Sequence, residues 1–119
     1  MKPLTNLKEF LKRFDNFKGG EIRSIEVISV TTILVTLASQ DVARDFDWIS
    51  VKLELNNVLD AKLVDESKLS LIDMEDGITI ACNDNRFSFA IGEYPNEASI
   101  KNSLCYIKCS TIKYKEGLF

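Results

Sequence analysis

A chain of 119 residues organises one hydrophobic core and is too short for two. With 45% hydrophobic and 28% charged residues it has the composition of a folded globule, which excludes a disordered or collagen-like chain. A net charge of −3 and a pI near 5.0 argue against nucleic acid as a partner, because phosphate binding needs a basic face.

The first predicted element is a helix. Leu4, Leu7, Phe10, Leu11, Phe14 and Phe17 recur at three- and four-residue intervals and form one apolar stripe, with Lys8, Lys12 and Arg13 on the other side. Asn6 is its expected N-cap, with Glu9 three residues on, and Gly19-Gly20 its expected end. The stripe reads as core, so Phe10, Phe14 and Phe17 should pack under a sheet.

After Gly20 the period becomes two and β-branched residues take over, as strands require. A strand is expected from about Glu21 to Val30, with a bulge where its alternation slips, and another follows through Ile33, Val35 and Leu37. Residues 39–47 read as a loop. Ile49, Val51, Leu53 and Leu55 alternate cleanly, Asn56-Asn57 marks a turn, and Leu59, Ala61 and Leu63 resume the alternation. Residues 65–77 fit neither period and read as a short strand or helical turn. Residues 78–82 and 86–91 should form a β-hairpin around Asn83-Asp84-Asn85. Residues 96–103 have room for one helical turn, and Leu104 to Lys115 reads as a single last strand. The expected fold is α+β, with an N-terminal helix packed on an antiparallel sheet of six or seven strands. It forms one continuous domain over 1–119, divided into a helix and cap (1–20) and a sheet (21–119).

Charge is unevenly spread along the chain. Residues 1–20 carry +3, residues 21–100 carry −9 and residues 101–119 carry +3. The acidic middle suits a basic protein partner, although a mildly acidic domain also gains solubility from the same residues. Two acidic groups stand out: Asp41, Asp45 and Asp47, and Asp73, Glu75 and Asp76. Phe46 and the single tryptophan, Trp48, lie within the first group. Trp48 reads as a strand-start side chain folded onto the core, with an interface anchor as the alternative.

Catalytic and cofactor motifs are missing. The chain has no histidine, hence no histidine triad and no histidine proton shuttle. The acidic groups read as solvated turns rather than a carboxylate pair across a cleft, and Asp73, Glu75 and Asp76 lack EF-hand spacing. Five glycines form neither a phosphate loop nor a dinucleotide fingerprint. Cys82, Cys105 and Cys109 are an odd number and too few ligands for a structural zinc, so reduced thiols and no metal or other cofactor are expected. No apolar run spans a bilayer and the N-terminal charges do not suit a signal peptide; the expectation is a cytosolic protein that engages no membrane.

Four segments together resemble small bacterial immunity proteins of polymorphic toxin systems, including contact-dependent growth inhibition. They are Leu-Lys-Glu-Phe-Leu-Lys-Arg-Phe ahead of Gly-Gly-Glu-Ile-Arg-Ser-Ile, then Trp-Ile-Ser-Val-Lys-Leu-Glu-Leu-Asn-Asn-Val, Asp-Gly-Ile-Thr-Ile, and Tyr-Ile-Lys-Cys-Ser-Thr-Ile-Lys-Tyr. The resemblance implies a cytosolic inhibitor, not an enzyme, that binds a cognate toxin domain, for which a nuclease with a basic face is one candidate. Asp41, Asp45, Phe46, Asp47, Trp48, Asp73, Glu75 and Asp76 are then the candidate partner-binding residues. A small carboxylate-dependent enzyme and a subunit of an intracellular assembly are the alternatives. A metal-dependent activity would favour the enzyme, and an obligate oligomer the assembly.

Overall fold

A computed structural model describes residues 1–119. Its strands are β1 (Lys2–Pro3), β2 (Glu21–Val27), β3 (Thr32–Asp41), β4 (Asp47–Asn56), β5 (Asp60–Lys62), β6 (Ile78–Asn83), β7 (Arg86–Ile91), β8 (Tyr106–Cys109) and β9 (Thr111–Leu118). Helix α1 spans Leu7–Arg13 and the single-turn α2 spans Glu97–Ile100. The α+β expectation holds, but the sheet is two sheets. One has five antiparallel strands in the order β1-β9-β4-β3-β2, the other four in the order β5-β8-β7-β6.

The single last strand expected from Leu104 to Lys115 is divided at Ser110, with β8 in the smaller sheet and β9 in the larger. The division follows from the apolar pattern. Cys105, Ile107 and Cys109 point into the core at odd positions, whereas Ile112 and Tyr114 do so at even ones. A strand turns every second side chain to the same face, so this change of phase requires a break in the ladder. At the break, the Ser110 N–H donates to the Asn56 carbonyl and ties the two sheets together.

The segment 39–47 is also more ordered than its composition suggests. Strand β3 continues to Asp41, and its ladder with β4 runs unbroken from Thr32 opposite Asn56 to Asp41 opposite Asp47. Only 42–46 remain as the connection, with a 3₁₀ turn at Val42–Arg44. The bulge in β2 lies between Ile22 and Ser24. The hairpin of β6 and β7 forms as expected, and Asp84 and Asn85 both have positive φ (52° and 61°), the geometry a two-residue hairpin connection needs. The segment 66–71 is a 3₁₀ turn.

Helix α1 is shorter than its apolar stripe. Asn6 caps it by accepting from the Glu9 N–H at 3.2 Å, but it ends at Phe14. Asp15, Asn16 and Phe17 then take left-handed backbone angles and a tight turn before Gly19 is reached. That turn rolls Phe17 back toward the core, so Phe10, Phe14 and Phe17 stay together, with the Phe14 and Phe17 rings stacked at 4.9 Å. Phe10 also meets Tyr114 of β9 at 5.0 Å, which packs the helix on the larger sheet.

One core cluster of 23 buried residues joins these aromatics to the inner faces of both sheets. Val35, Leu37, Val51, Leu53 and Ile112 come from the larger sheet, and Ile78, Ile80, Phe89 and Ile107 from the smaller. Cys105 and Cys109 belong to this core, and burial pushes their thiols up to about 11 and about 12, which leaves them protonated and inert at neutral pH. Cys82 is exposed. No helix is long and apolar enough to cross a membrane.

Candidate functional site

The eight candidate residues do not share one environment. Asp41, expected on an exposed acidic loop, is fully buried at the end of β3. The reason is a cation 28 residues earlier: Arg13 Nε donates to Asp41 Oδ1 at 2.8 Å and Nη2 donates to Oδ2 at 2.6 Å. Its third donor, Nη1, reaches Glu116 Oε1 at 2.8 Å, and Arg44 approaches both carboxylates from outside. Asp41 also accepts from the Ala43 N–H at 2.9 Å and so caps the 42–44 turn. It is a structural carboxylate that clamps α1, β3 and β9, and it leaves the set of partner-facing residues.

Hydrogen bonds from Arg13 hold the carboxyl groups of Asp41 and Glu116 below the usual carboxylate range. A carboxylate whose pKa is lower in the folded than in the unfolded chain contributes stability above its unfolded pKa of about 4 and loses it as pH falls through the folded value. Stability should therefore decline on acidification below about pH 4. Denaturation midpoints measured from pH 7 downward should show this acid limb, and it should be shallower in Arg13→Met.

Beyond the clamp the connection turns outward. Asp45 and Phe46 both have positive φ (54° and 66°), and the Phe46 N–H closes the loop on the Asp41 carbonyl at 2.9 Å. Aspartate tolerates this region, whereas phenylalanine pays a steric penalty there. Phe46 is nevertheless 59% exposed, so little burial compensates for the strained backbone. If the position served only to make a turn, glycine would suit it better. Phe46→Gly should raise stability by about 1 kcal/mol, read as a higher denaturation midpoint.

Trp48 does not fold onto the core. It is 38% exposed, and its ring lies 5.4 Å from that of Phe119, which is 56% exposed. The Arg23 guanidinium stacks over Phe119 at 4.1 Å and donates to the Phe119 backbone oxygen at 3.1 Å. The strand register explains the exposure: Trp48 lies on the outer face of β4 with Ser50 and Lys52, while Ile49, Val51 and Leu53 take the inner face. Phe119 was not singled out from the sequence, and no local pattern marks it.

The second acidic group lies across a shared loop. The Gly19 N–H donates to the Met74 carbonyl at 2.8 Å, and Gly77, at φ +68°, lies so close to the Asn16 carbonyl oxygen that a Cβ would collide with it. Asp73, Glu75 and Asp76 are thereby held against the 15–19 loop, whose other side faces Phe46 and Trp48. Exposed Asp15 and Glu93 join them. None of Asp15, Asp45, Asp47, Asp73, Glu75, Asp76 or Glu93 is in an ion pair. Lys18 is an unpaired cation on the same loop and Lys12 another beside Val42, whereas Arg23 and Arg44 are paired to Glu21 and to Asp41 and Glu116. This end of the molecule therefore combines exposed aromatic rings with an excess of free negative charge.

A separate groove of about 450 Å³ runs between α1 and the 42–44 turn, but Glu9 is its only lining carboxylate and Arg13 is committed to Asp41 and Glu116. It does not present the carboxylate pair of a general acid–base mechanism. No group of three or more cysteine, aspartate or glutamate side chains is arranged to hold a metal ion. No family model, curated protein or solved structure matches this chain.

Proposed function

We propose that this protein is a cytosolic immunity protein that binds a cognate toxin domain stoichiometrically through the end of the molecule bearing Phe46 and Trp48. One observation carries the reading: Phe46, Trp48 and Phe119 are exposed beside unpaired Asp15, Asp45 and Asp47, with Asp76 and Glu93 across the 15–19 loop. Aromatic anchors surrounded by charge are how protein interfaces combine affinity with selectivity. The sequence resemblance supplies the class of partner, and the acidic field suits a basic toxin surface such as that of a nuclease. Asp45, Phe46, Asp47 and Trp48 form the central set, with Asp73, Glu75 and Asp76 on the flank.

Opposed charge fields mainly accelerate encounter, whereas desolvated aromatic contacts slow dissociation. Binding kinetics with the cognate toxin domain that the proposal expects a neighbouring gene to encode, at two ionic strengths, should separate these roles. Asp45→Lys/Asp47→Lys should lower the association rate and flatten its salt dependence, with dissociation little changed. Trp48→Ala should leave the salt dependence intact and raise the dissociation rate by about 30-fold, equivalent to about 2 kcal/mol. Absence of any complex with the unaltered protein would refute the proposal. The same exposed rings also support a second reading, a subunit of an intracellular assembly, which predicts an obligate oligomer of the purified chain in sedimentation.

A further inference from the structure

The two sheets end in four edge strands, and three of these are guarded against pairing with another chain. Strand β1 is two residues long and contains Pro3, and β5 is three residues long with Asp60 and Lys62 at its ends. Strand β2 is bulged between Ile22 and Ser24, carries Glu21, Arg23 and Glu26, and has the 66–71 turn packed beside it. Strand β6 has none of these guards. Its six residues, Ile-Thr-Ile-Ala-Cys-Asn, include no charge and no proline, and its register with β7 is unbroken.

The free edge of β6 also presents its backbone. The two-residue turn makes Asn83 and Arg86 a hydrogen-bonded pair, and the N–H of Ile91, opposite Ile78, donates away from β6 to the Cys105 carbonyl at 3.1 Å. Bonded residues alternate along an antiparallel ladder, so Thr79, Ala81 and Asn83 pair with β7, while the N–H and C=O groups of Ile78, Ile80 and Cys82 point off the sheet. No backbone group elsewhere in the chain pairs with them. Donors and acceptors repeating at the strand period are matched by one kind of ligand, the backbone of another extended segment.

A second copy of this chain suits the edge poorly. The two-fold register that pairs all three free residues sets Ile80 opposite itself and brings Asp84 of each copy toward Asp76 of the other, and neither carboxylate is in an ion pair. Leu11, Asn16 and Lys18 border a groove of about 160 Å³ along Ile78, Thr79 and Ile80. The groove admits one extended segment, whereas β6 of a copy would bring its own β7 against the 15–18 loop. We propose that β6 is the site where an extended segment of the partner protein adds a strand to the smaller sheet. The inference rests on the proposed toxin-binding function and gives it a backbone contact beside Asp76.

Proline at position 82 tests that backbone contact alone. The Cys82 side chain is exposed and its N–H faces off the sheet, so Cys82→Pro removes a donor from the free edge and none from the ladder with β7. Cys82→Ser keeps the donor and is the control. The probe is the purified toxin domain that the proposed function expects a neighbouring gene to encode. Cys82→Pro, shown to be folded by circular dichroism, should weaken binding by at least about tenfold, and Cys82→Ser by less than about threefold. Residue-resolved hydrogen exchange of the unaltered protein is the second measurement, and it decides alone if Cys82→Pro does not fold. The Ile78, Ile80 and Cys82 amides should exchange freely in the isolated chain and at least about tenfold more slowly in the complex, whereas Thr79, Ala81 and Asn83 are protected in both. Tight binding by the unaltered protein with no protection gained at Ile78, Ile80 and Cys82, and with Cys82→Pro equal to Cys82→Ser, would overturn strand addition and leave the toxin-binding function standing. A dimer of the purified chain that Cys82→Pro dissociates would overturn it in favour of a second copy. No binding by the unaltered protein would overturn both.

Discussion

Replacing Phe14 by alanine should destabilise the protein by about 3–5 kcal/mol, the range for truncating a fully buried aromatic side chain. Phe14 is 1% exposed, stacks on Phe17 and meets Phe10 edge-on at 5.2 Å, so its loss opens a cavity between α1 and the larger sheet. The cavity cannot easily collapse, because Phe17 is held in place by the left-handed turn at 15–17 and Phe10 by Tyr114. Chemical denaturation should report the loss as a lower midpoint with an unchanged slope. A midpoint like that of the unaltered protein would mean that the helix stripe does not contribute to the core.

The second large effect is at Arg13. Arg13→Met removes the partner of a fully buried carboxylate, and breaking such a pair typically costs 3–5 kcal/mol because an uncompensated charge remains inside. Arg44 lies 3.5 Å from Asp41 and can answer part of that charge, so the expected loss is about 3 kcal/mol. The origin of the loss can be isolated. In Arg13→Met/Asp41→Asn the fully buried charge is gone, Glu116 keeps Arg44 and Lys2, and the Ala43 cap still has an acceptor oxygen, so the double variant should be more stable than Arg13→Met alone. Additive losses in the double variant would contradict the clamp.

How much of this was readable beforehand depends on whether the deciding contact is local. The Asn6 cap, the hairpin closed by Asp84 and Asn85, and the alternation of β4 depend on neighbours within a few residues, and all follow from the sequence pattern. The break at Ser110 was also legible in principle, since the buried positions change from odd to even there. An unbroken run of strand-forming residues hides it.

The site is less legible. Asp41 reads as one more solvated aspartate, because only the folded chain brings Arg13 to it from 28 residues away. Trp48 is one residue out of phase with inward-facing Ile49 and Val51, so its outward placement follows from the alternation of β4 once that strand is carried back to Asp47, where it pairs with Asp41. The approach of the Asp73–Asp76 turn to the 15–19 loop rests on Gly77, whose missing side chain matters only once Asn16 is beside it. The left-handed backbone at Phe46 has no signature in composition or periodicity. The acidic and aromatic residue types could therefore be identified from the sequence, while their division into a buried clamp and an exposed face could not.

The most direct test of the proposed function is growth of cells expressing, together with this protein, the toxin domain that the proposal expects a neighbouring gene to encode. Unaltered protein should restore growth, whereas Phe46→Gly combined with Trp48→Ala, present at equal level and folded, should not. If the unaltered protein gives no protection, the toxin-neutralising function is contradicted; if the folded double variant protects fully, the face bearing Phe46 and Trp48 is not the one that binds.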